Sequence, residues 1–367
     1  MRWLRWLTSV RRNRRGDVPR PSWLTYLVTY RCNARCGMCD SWKLDPGREL
    51  SVEEVDGLFR QLKRLDVVRF SGGEPFLRKD LPDLAGVAMR RLRPAGVAIS
   101  TNGSFPDRVL SLARGFAAPK RLWIQVSLDG LPATHDANRG AGATFEKAMA
   151  TLHGLTELRD SGVTVSVNHT VISDESMDES RELQARLDEI DVPMHTVLAY
   201  EDSAMYGQDR NGSAAGDLLG AAYPLHPAID RGKARRFAAE ELERAEVLKD
   251  RGLRRAKRYY LTGLLNRLGD TPRAFPDPRC VALRSHLRLL PDGSVPVCQF
   301  NTNRVGNAVD EGFERLWRGE NCRKWRRWVD ACDGCWAECE VLPSAIYTGD
   351  LLRALGRPEP ARLAADR

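Results

Sequence analysis

From residue 22 to about residue 205 the chain alternates short apolar, β-branched runs with longer segments whose apolar residues recur at helical spacing, and this alternation limits the fold most. The strand candidates are 23–28, 67–71, 97–101, 122–128, 163–171 and 194–199. Between them lie helix candidates from Val52 to Leu65, Leu81 to Leu92, Pro106 to Phe116, Phe145 to Leu158 and Glu175 to Ile190. Ser51, with Glu53 and Glu54 behind it, reads as an N-cap followed by acid in the first helical turn. Strands that alternate with helices pair in parallel through right-handed crossovers. Six units predict an α/β fold, a partial (β/α)6 TIM-like barrel left open along one side, with ligands at the carboxy ends of its strands.

Just after the first strand stands RCNARCGMCDSW, residues 31 to 42, with Cys32, Cys36 and Cys39 inside eight positions. A closed zinc or iron–sulfur site normally takes four protein ligands, so this loop is one short. Disulfides are a poor account, because the chain has nine cysteines and no export signal at its start. The spacing suits a loop that wraps one face of a cluster and leaves one iron without a protein ligand. A structural zinc loop, or three unrelated core thiols, is the competing reading.

Further motifs fall where the barrel rule places ligands. Gly72-Gly73-Glu74-Pro75, Asn102-Gly103 and Asp129-Gly130 each follow a strand candidate directly. Glycines permit close backbone approach, and Glu74 supplies an acceptor. The C-x-x-x-C-x-x-C triplet and the GGEP element together resemble the radical S-adenosylmethionine (radical SAM) superfamily. By that resemblance the three thiolates hold a [4Fe–4S] cluster whose open iron binds SAM, and Gly72, Gly73, Glu74 and Pro75 meet the SAM amino group. QVSLDGLPATHDANRG, residues 125 to 140, resembles the family's fifth-strand region, which implies that Ser127 and Arg139 contact the SAM ribose or carboxylate. An arginine fork suits a carboxylate, although Arg139 could instead pair with Asp136 or Asp129. Asn102 joins this cofactor shell. VSVNHTVIS resembles the family's sixth strand, whose backbone lies near the adenine; parity leaves open whether Asn168 or His169 faces the cavity, and Asn168 is counted with the cofactor shell. His135 reads as a packing residue. Met38 stands where the family often has an aromatic residue, and its thioether can still cover an adenine.

A second group of cysteines lies towards the end of the chain. Cys280 and Cys298 bracket Pro291-Asp292-Gly293, read as a tight turn between two short paired strands. Cys322 follows, then Cys332, Cys335 and Cys339. The pattern resembles the SPASM/twitch subgroup. Six thiols beyond the triplet suffice for one auxiliary [4Fe–4S] cluster and not for two. The expected ligands are Cys280, Cys298 and two among Cys332, Cys335 and Cys339, with Cys322 a bystander; zinc is the competing metal.

At 367 residues the chain is long enough for about two domains, and no window approaches a membrane span. A reduced cytoplasm is the expected location. Seven arginines face one aspartate in the first twenty residues, which hold most of the net charge of +8. They interleave with Trp3, Leu4, Trp6, Leu7 and Val10 as in a short interfacial helix, which could touch anionic lipid, nucleic acid or an acidic partner; a frayed arm or a lid helix over the barrel bottom is the alternative. The expected organisation is a basic arm over 1–20, the barrel over 21–206, a helical connector over 207–275, a cysteine-rich twitch/SPASM-like domain over 276–345 and a tail over 346–367.

The resemblance implies an oxidoreductase that cleaves SAM reductively to a 5′-deoxyadenosyl radical and abstracts hydrogen from a sugar- or cyclitol-like molecule. The auxiliary cluster would accept the electron, and a flavodoxin- or ferredoxin-type protein would be the reductant. One alternative is a peptide maturase of the SPASM type, although few residues precede the barrel to bind a leader. Another is a non-enzymatic metal-bearing binding protein, against which the GGEP element and Arg139 argue. A nucleic-acid partner is not expected, since the basic aromatic run Arg315 to Trp328 reads as a helix packing its tryptophans inward.

Overall fold

The computed structural model describes residues 2–18, 20–201, 220–248 and 250–355. Six parallel strands follow one another in chain order: β1 (Trp23–Leu27), β2 (Val67–Ser71), β3 (Gly96–Thr101), β4 (Leu122–Ser127), β5 (Thr164–Val171) and β6 (Met194–Leu198). Each pairs with the next, and helices cover the outer face, among them Val52–Leu62, Leu81–Leu92, Pro106–Gly115, Thr144–Thr156 and Ser180–Glu189. The result is an α/β partial barrel.

The pleat explains which side is which. Leu24, Tyr26, Val68, Phe70, Val97, Ile99, Ile124 and Val126 are buried beneath the helices. Among their neighbours of opposite parity are polar side chains that meet one another: Arg69 donates to Ser100 and Gln125 on the next two strands, at 3.1 and 2.9 Å. Thr25 pairs in register with Arg69.

The turn at Pro291-Asp292-Gly293 departs from expectation. The strand before it, β7 (His286–Leu289), does not form a hairpin with the strand after it; β7 pairs in parallel with β1 and becomes the seventh strand, giving the order β6-β5-β4-β3-β2-β1-β7. The following strand, β8 (Ser294–Pro296), pairs antiparallel with β9 (Arg304–Asn307) instead. β7 leaves the cysteine-rich segment because β1 offers it an apolar sheet edge, which buries Leu287 and Leu289 completely.

Residues 2 to 15 form one helix, Arg2–Arg15, the lid-helix alternative read for this stretch: it meets Ser22 and Ser285 at the amino ends of β1 and β7 and lies against helix Glu338–Thr348. Two helices, Arg231–Glu246 and Arg251–Leu268, build an apolar cluster with Tyr223, Trp336 and Val341, so the connector joins the core. Position 346 falls inside helix Glu338–Thr348, where a tail was expected, and a last helix spans Asp350–Leu355. The expected boundary at 206–207 lies outside the described residues.

Candidate active site

Cys32, Cys36 and Cys39 occupy the loop that leaves the carboxy end of β1. On one side this loop is pinned to the GGEP turn, where the amides of Gly73 and Glu74 donate to the carbonyls of Thr29 and Arg31, both at 2.8 Å. A Cβ at Gly72 would run into Thr29 and one at Gly73 into Arg31, so the two glycines let the backbones touch. On the other side, Arg35 and Gly37 donate their amides to Arg139 and Asn138, at 2.7 and 3.1 Å, stitching the loop to helix Pro132–Arg139. A turn from the Cys39 amide to the Cys36 carbonyl, 3.2 Å, brings the last two thiols together.

The sulfurs have donors aimed at them. The Ala34 amide approaches Cys32 Sγ at 3.5 Å, and Arg139 Nη1 approaches Cys36 Sγ at 3.6 Å. Burial nevertheless pushes the Cys32 thiol up to about 12 and raises Cys36 as well, with Arg139 opposing the rise at Cys36. Partly buried thiols with aimed donors suit metal ligation, in which a cation takes the proton's place. Among the described residues, no three His, Cys, Asp or Glu side chains gather closely enough to chelate a single ion.

The expected cofactor shell surrounds this loop. Glu74 is buried, and its carboxylate accepts from the Phe76 amide at 3.0 Å, the Thr101 hydroxyl at 2.8 Å and the Asn102 amide at 2.7 Å. Burial raises its pKa, and these three donors work against the rise. Pro75 opens the short turn Pro75–Leu77 beneath it. Asn102 donates to Asn33 of the thiol loop at 2.9 Å. Of the partners open to Arg139, Asp129 is the one it meets in this structure: its fork donates to buried Asp129, at 2.9 Å, and Nη1 approaches Cys36. Burial works against its charge, yet Asp129 and then Cys36 raise its pKa. Ser127 ends β4, in register with Asn168 on β5.

Of the pair left open by parity, Asn168 faces the cavity. His169 lies fully buried between Leu128 and Ser180, at 3.0 and 2.7 Å. His135 packs, its Nδ1 accepting from the Asp129 amide at 3.1 Å, and burial lowers its pKa to about 4.

A cavity of about 260 Å³ opens beside the thiol loop. Met38 and Cys39 line one end; Gln299, Glu338 and Cys339 line the other. Arg69 from β2 and Arg288 from β7 enter from the walls. Glu338 ion-pairs with His195 of β6 at 3.2 Å. Burial works against the Glu338 charge, but His195 brings its carboxyl down to about 2. Glu340 holds Arg288 at 2.7 Å, His286 at 2.9 Å and the Gln299 amide at 3.1 Å. Sequence reasoning passed over Arg69, Arg288, Glu338 and His195. A signal existed, because Arg69 and Arg288 place a charge between apolar neighbours, Val68 and Phe70, and Leu287 and Leu289.

The later thiols divide. Cys280, Cys332 and Cys335 line a separate cavity of about 300 Å³ behind Trp336. Cys298 belongs with them: burial raises it well above its ordinary value, and Glu340 and Cys280 add to the rise. Amides of Asn301, Gly334 and Ala337 point at the sulfurs of Cys298, Cys332 and Cys335, at 3.2, 3.4 and 3.5 Å. Cys339 turns the other way, towards the central cavity, where its thiol donates to Gln299. Cys322 is buried on helix Glu320–Ala331, in the main core.

Residues 26–187 match the model of the radical SAM superfamily, and residues 280–336 match that of SPASM, an iron–sulfur cluster-binding domain. The chain belongs to the radical SAM superfamily. A Fe-coproporphyrin III synthase of Methanosarcina barkeri is 34% identical over 190 residues, 50% of this chain and 46% of that relative. The mycofactocin maturase MftC of Mycobacterium tuberculosis is 37% identical over 172 residues, 45% of this chain and 42% of that relative. The chain thus spans less than half the length of either. The solved structure of native anSMEcpe with bound AdoMet and a Kp18Cys peptide superposes with a TM-score of 0.58 at 16% identity, covering 83% of this chain and 82% of that one, a likeness of fold. This radical SAM chain therefore takes SAM on a [4Fe–4S] cluster and has an auxiliary iron–sulfur site in its SPASM region. The donor sets described above fit both groups. Among the described residues, no helix is long and apolar enough to cross a membrane.

Proposed function

We propose that this radical SAM enzyme is an oxidoreductase that removes a hydrogen atom from a small polar molecule, of sugar or cyclitol type, held between Cys39 and Cys339. The observation that supports this most is the cavity itself, small, lined by both Cys39 of the thiol loop and Cys339, and carrying the polar groups Arg69, Asn168, Arg288, Gln299 and Glu338 among apolar ones. Its volume of about 260 Å³ suits a small ligand. When bound, the two iron–sulfur groups and SAM supply one-electron chemistry: a 5′-deoxyadenosyl radical on one side and an electron acceptor on the other.

The chain's own residues do the rest. Cys32, Cys36 and Cys39 would hold the first cluster; Cys280, Cys298, Cys332 and Cys335 would hold the second. Gly72, Gly73, Glu74, Pro75, Asn102, Ser127 and Asn168 would shape the SAM pocket. Arg139 would act on Cys36, stabilising the thiolate through its charge. Arg69 and Arg288, fixed by Gln125 and Glu340, present N–H groups to substrate hydroxyl or carboxylate oxygens. Glu338, paired with His195, offers an acceptor opposite them.

A peptide side chain entering the same cavity is the second reading. It is favoured by the maturase among the relatives and by anSMEcpe, of like fold, whose structure holds both AdoMet and a peptide. Both readings are tested by incubating the anaerobically reconstituted enzyme and SAM with deuterated polyols and with deuterated peptides. Deuterium in 5′-deoxyadenosine from a polyol is the expected result. Deuterium from peptides alone selects the second reading, and SAM cleavage without transfer from either class overturns both.

A further inference from the structure

The amino-terminal helix Arg2–Arg15 has two faces with different surroundings. Its inner face is bolted to the protein: Trp6 Nε1 donates to the Ile346 carbonyl at 2.9 Å, Asn13 to Ser285 and to the Tyr347 carbonyl at 2.7 and 2.9 Å, and Arg14 to the Thr348 carbonyl at 2.8 Å. On the outer face, Trp3, Leu4 and Leu7 are 62%, 52% and 40% exposed, followed along the helix by exposed Arg11, Arg12 and Arg15. Half of the exposed large apolar side chains among the described residues fall between Trp3 and Val18. The helix contains no acidic residue, and Arg11, Arg12 and Arg15 have no ion-pair partner among the described residues. Beside it runs a groove of about 460 Å³, lined by Leu4, Arg12, Lys63 and Arg64.

We infer that this face binds the surface of an anionic lipid bilayer, with Trp3, Leu4 and Leu7 entering the headgroup boundary and Arg11, Arg12 and Arg15 meeting lipid phosphates. An acidic protein or a nucleic acid would satisfy the arginines but leave the apolar side chains in water. An anionic bilayer answers both. The helix is too polar and, at 14 residues, too short to span. Its anchors also set the orientation. Arg5 approaches Asp66, Ser9 meets Ser22 and Asn13 meets Ser285, which precede β2, β1 and β7. The helix therefore covers the amino ends of the strands. A bilayer at that end leaves the thiol loop, at the opposite end, open to substrate and reductant.

The test is co-sedimentation of the iron-loaded full chain with phosphatidylcholine vesicles, with and without phosphatidylglycerol. Binding is expected only with the anionic lipid and weakens with salt. Replacing Arg11, Arg12 and Arg15 by glutamine weakens partitioning on the order of 100-fold. Replacing Trp3, Leu4 and Leu7 by serine weakens it by roughly 10-fold or more. Both variants keep the iron content and melting temperature of the parent, because the altered side chains lie on the outer face. Absence of binding to anionic vesicles, equal binding to neutral ones, or binding to polyglutamate or DNA in preference to vesicles overturns the inference.

Discussion

The two thiol sites are built in opposite ways. Cys32, Cys36 and Cys39 lie on one loop, and neighbouring backbone shapes it: the GGEP glycines on one side and helix Pro132–Arg139 on the other. Cys280, Cys298, Cys332 and Cys335 come from separate segments, brought together by β7, by Glu340 and by Trp336, whose indole donates to the Tyr260 carbonyl at 2.9 Å. The first site is local and the second is assembled. Local damage should therefore disable the first and spare the second, whereas the second should fail with its scaffold.

Cys36→Ala breaks the comparison most directly. SAM cleavage is expected to fall to background while iron drops from about eight to about four per chain, measured by iron assay and by chromatography of 5′-deoxyadenosine. Loss of all iron would show that the two sites are not independent. Cys332→Ala and Cys339→Ala sharpen the second half. The former should cost about four irons and the latter none. Equal losses would return Cys339 to the ligand set.

Smaller effects follow from packing. A methyl at Gly73 meets the Arg31 carbonyl, so Gly73→Ala should displace the thiol loop and lower iron at the first site, with a cost of about 1–3 kcal/mol in denaturant unfolding. Gly263→Ala drives a methyl into the Trp336 ring and should cost a similar amount, but with the iron loss at the second site. The smallest effect is one of pH. Arg288 and His286 outweigh burial and hold the Glu340 carboxyl at about 2, below its ordinary 4.5. The stability it contributes is present above pH 4.5 and disappears as pH falls towards about 2. Glu340→Gln should therefore melt below the parent at neutral pH, and the gap should close across that window.

The same contrast governs what the sequence disclosed. The six barrel strands were legible because period-2 and period-3.6 patterns are local, and the triplet loop because its ligands are neighbours in the chain. The seventh strand was not. Pro291-Asp292-Gly293 has hairpin chemistry, and only the free edge of β1, distant in sequence, diverts His286–Leu289 into parallel pairing. Parity left Asn168 and His169 open until Leu128 and Ser180 claimed the histidine. For Arg139 the motif could not choose between Asp136 and Asp129 as carboxylate partner, and the fold brings Asp129 to its fork. Spacing leaves open which of Cys332, Cys335 and Cys339 serve the second cluster; the fold puts Cys332 and Cys335 with Cys280 in one cavity and Cys339 in another, a placement that spacing does not encode.

The proposed chemistry requires above all that the first thiol loop keep an iron open to SAM beside the cavity that Met38 and Cys39 line. Electron paramagnetic resonance of the dithionite-reduced Cys332→Ala protein, recorded with and without SAM, tests this directly because only the first cluster contributes. The account predicts that SAM changes the g-values of the signal. A spectrum that SAM leaves unaltered would contradict it.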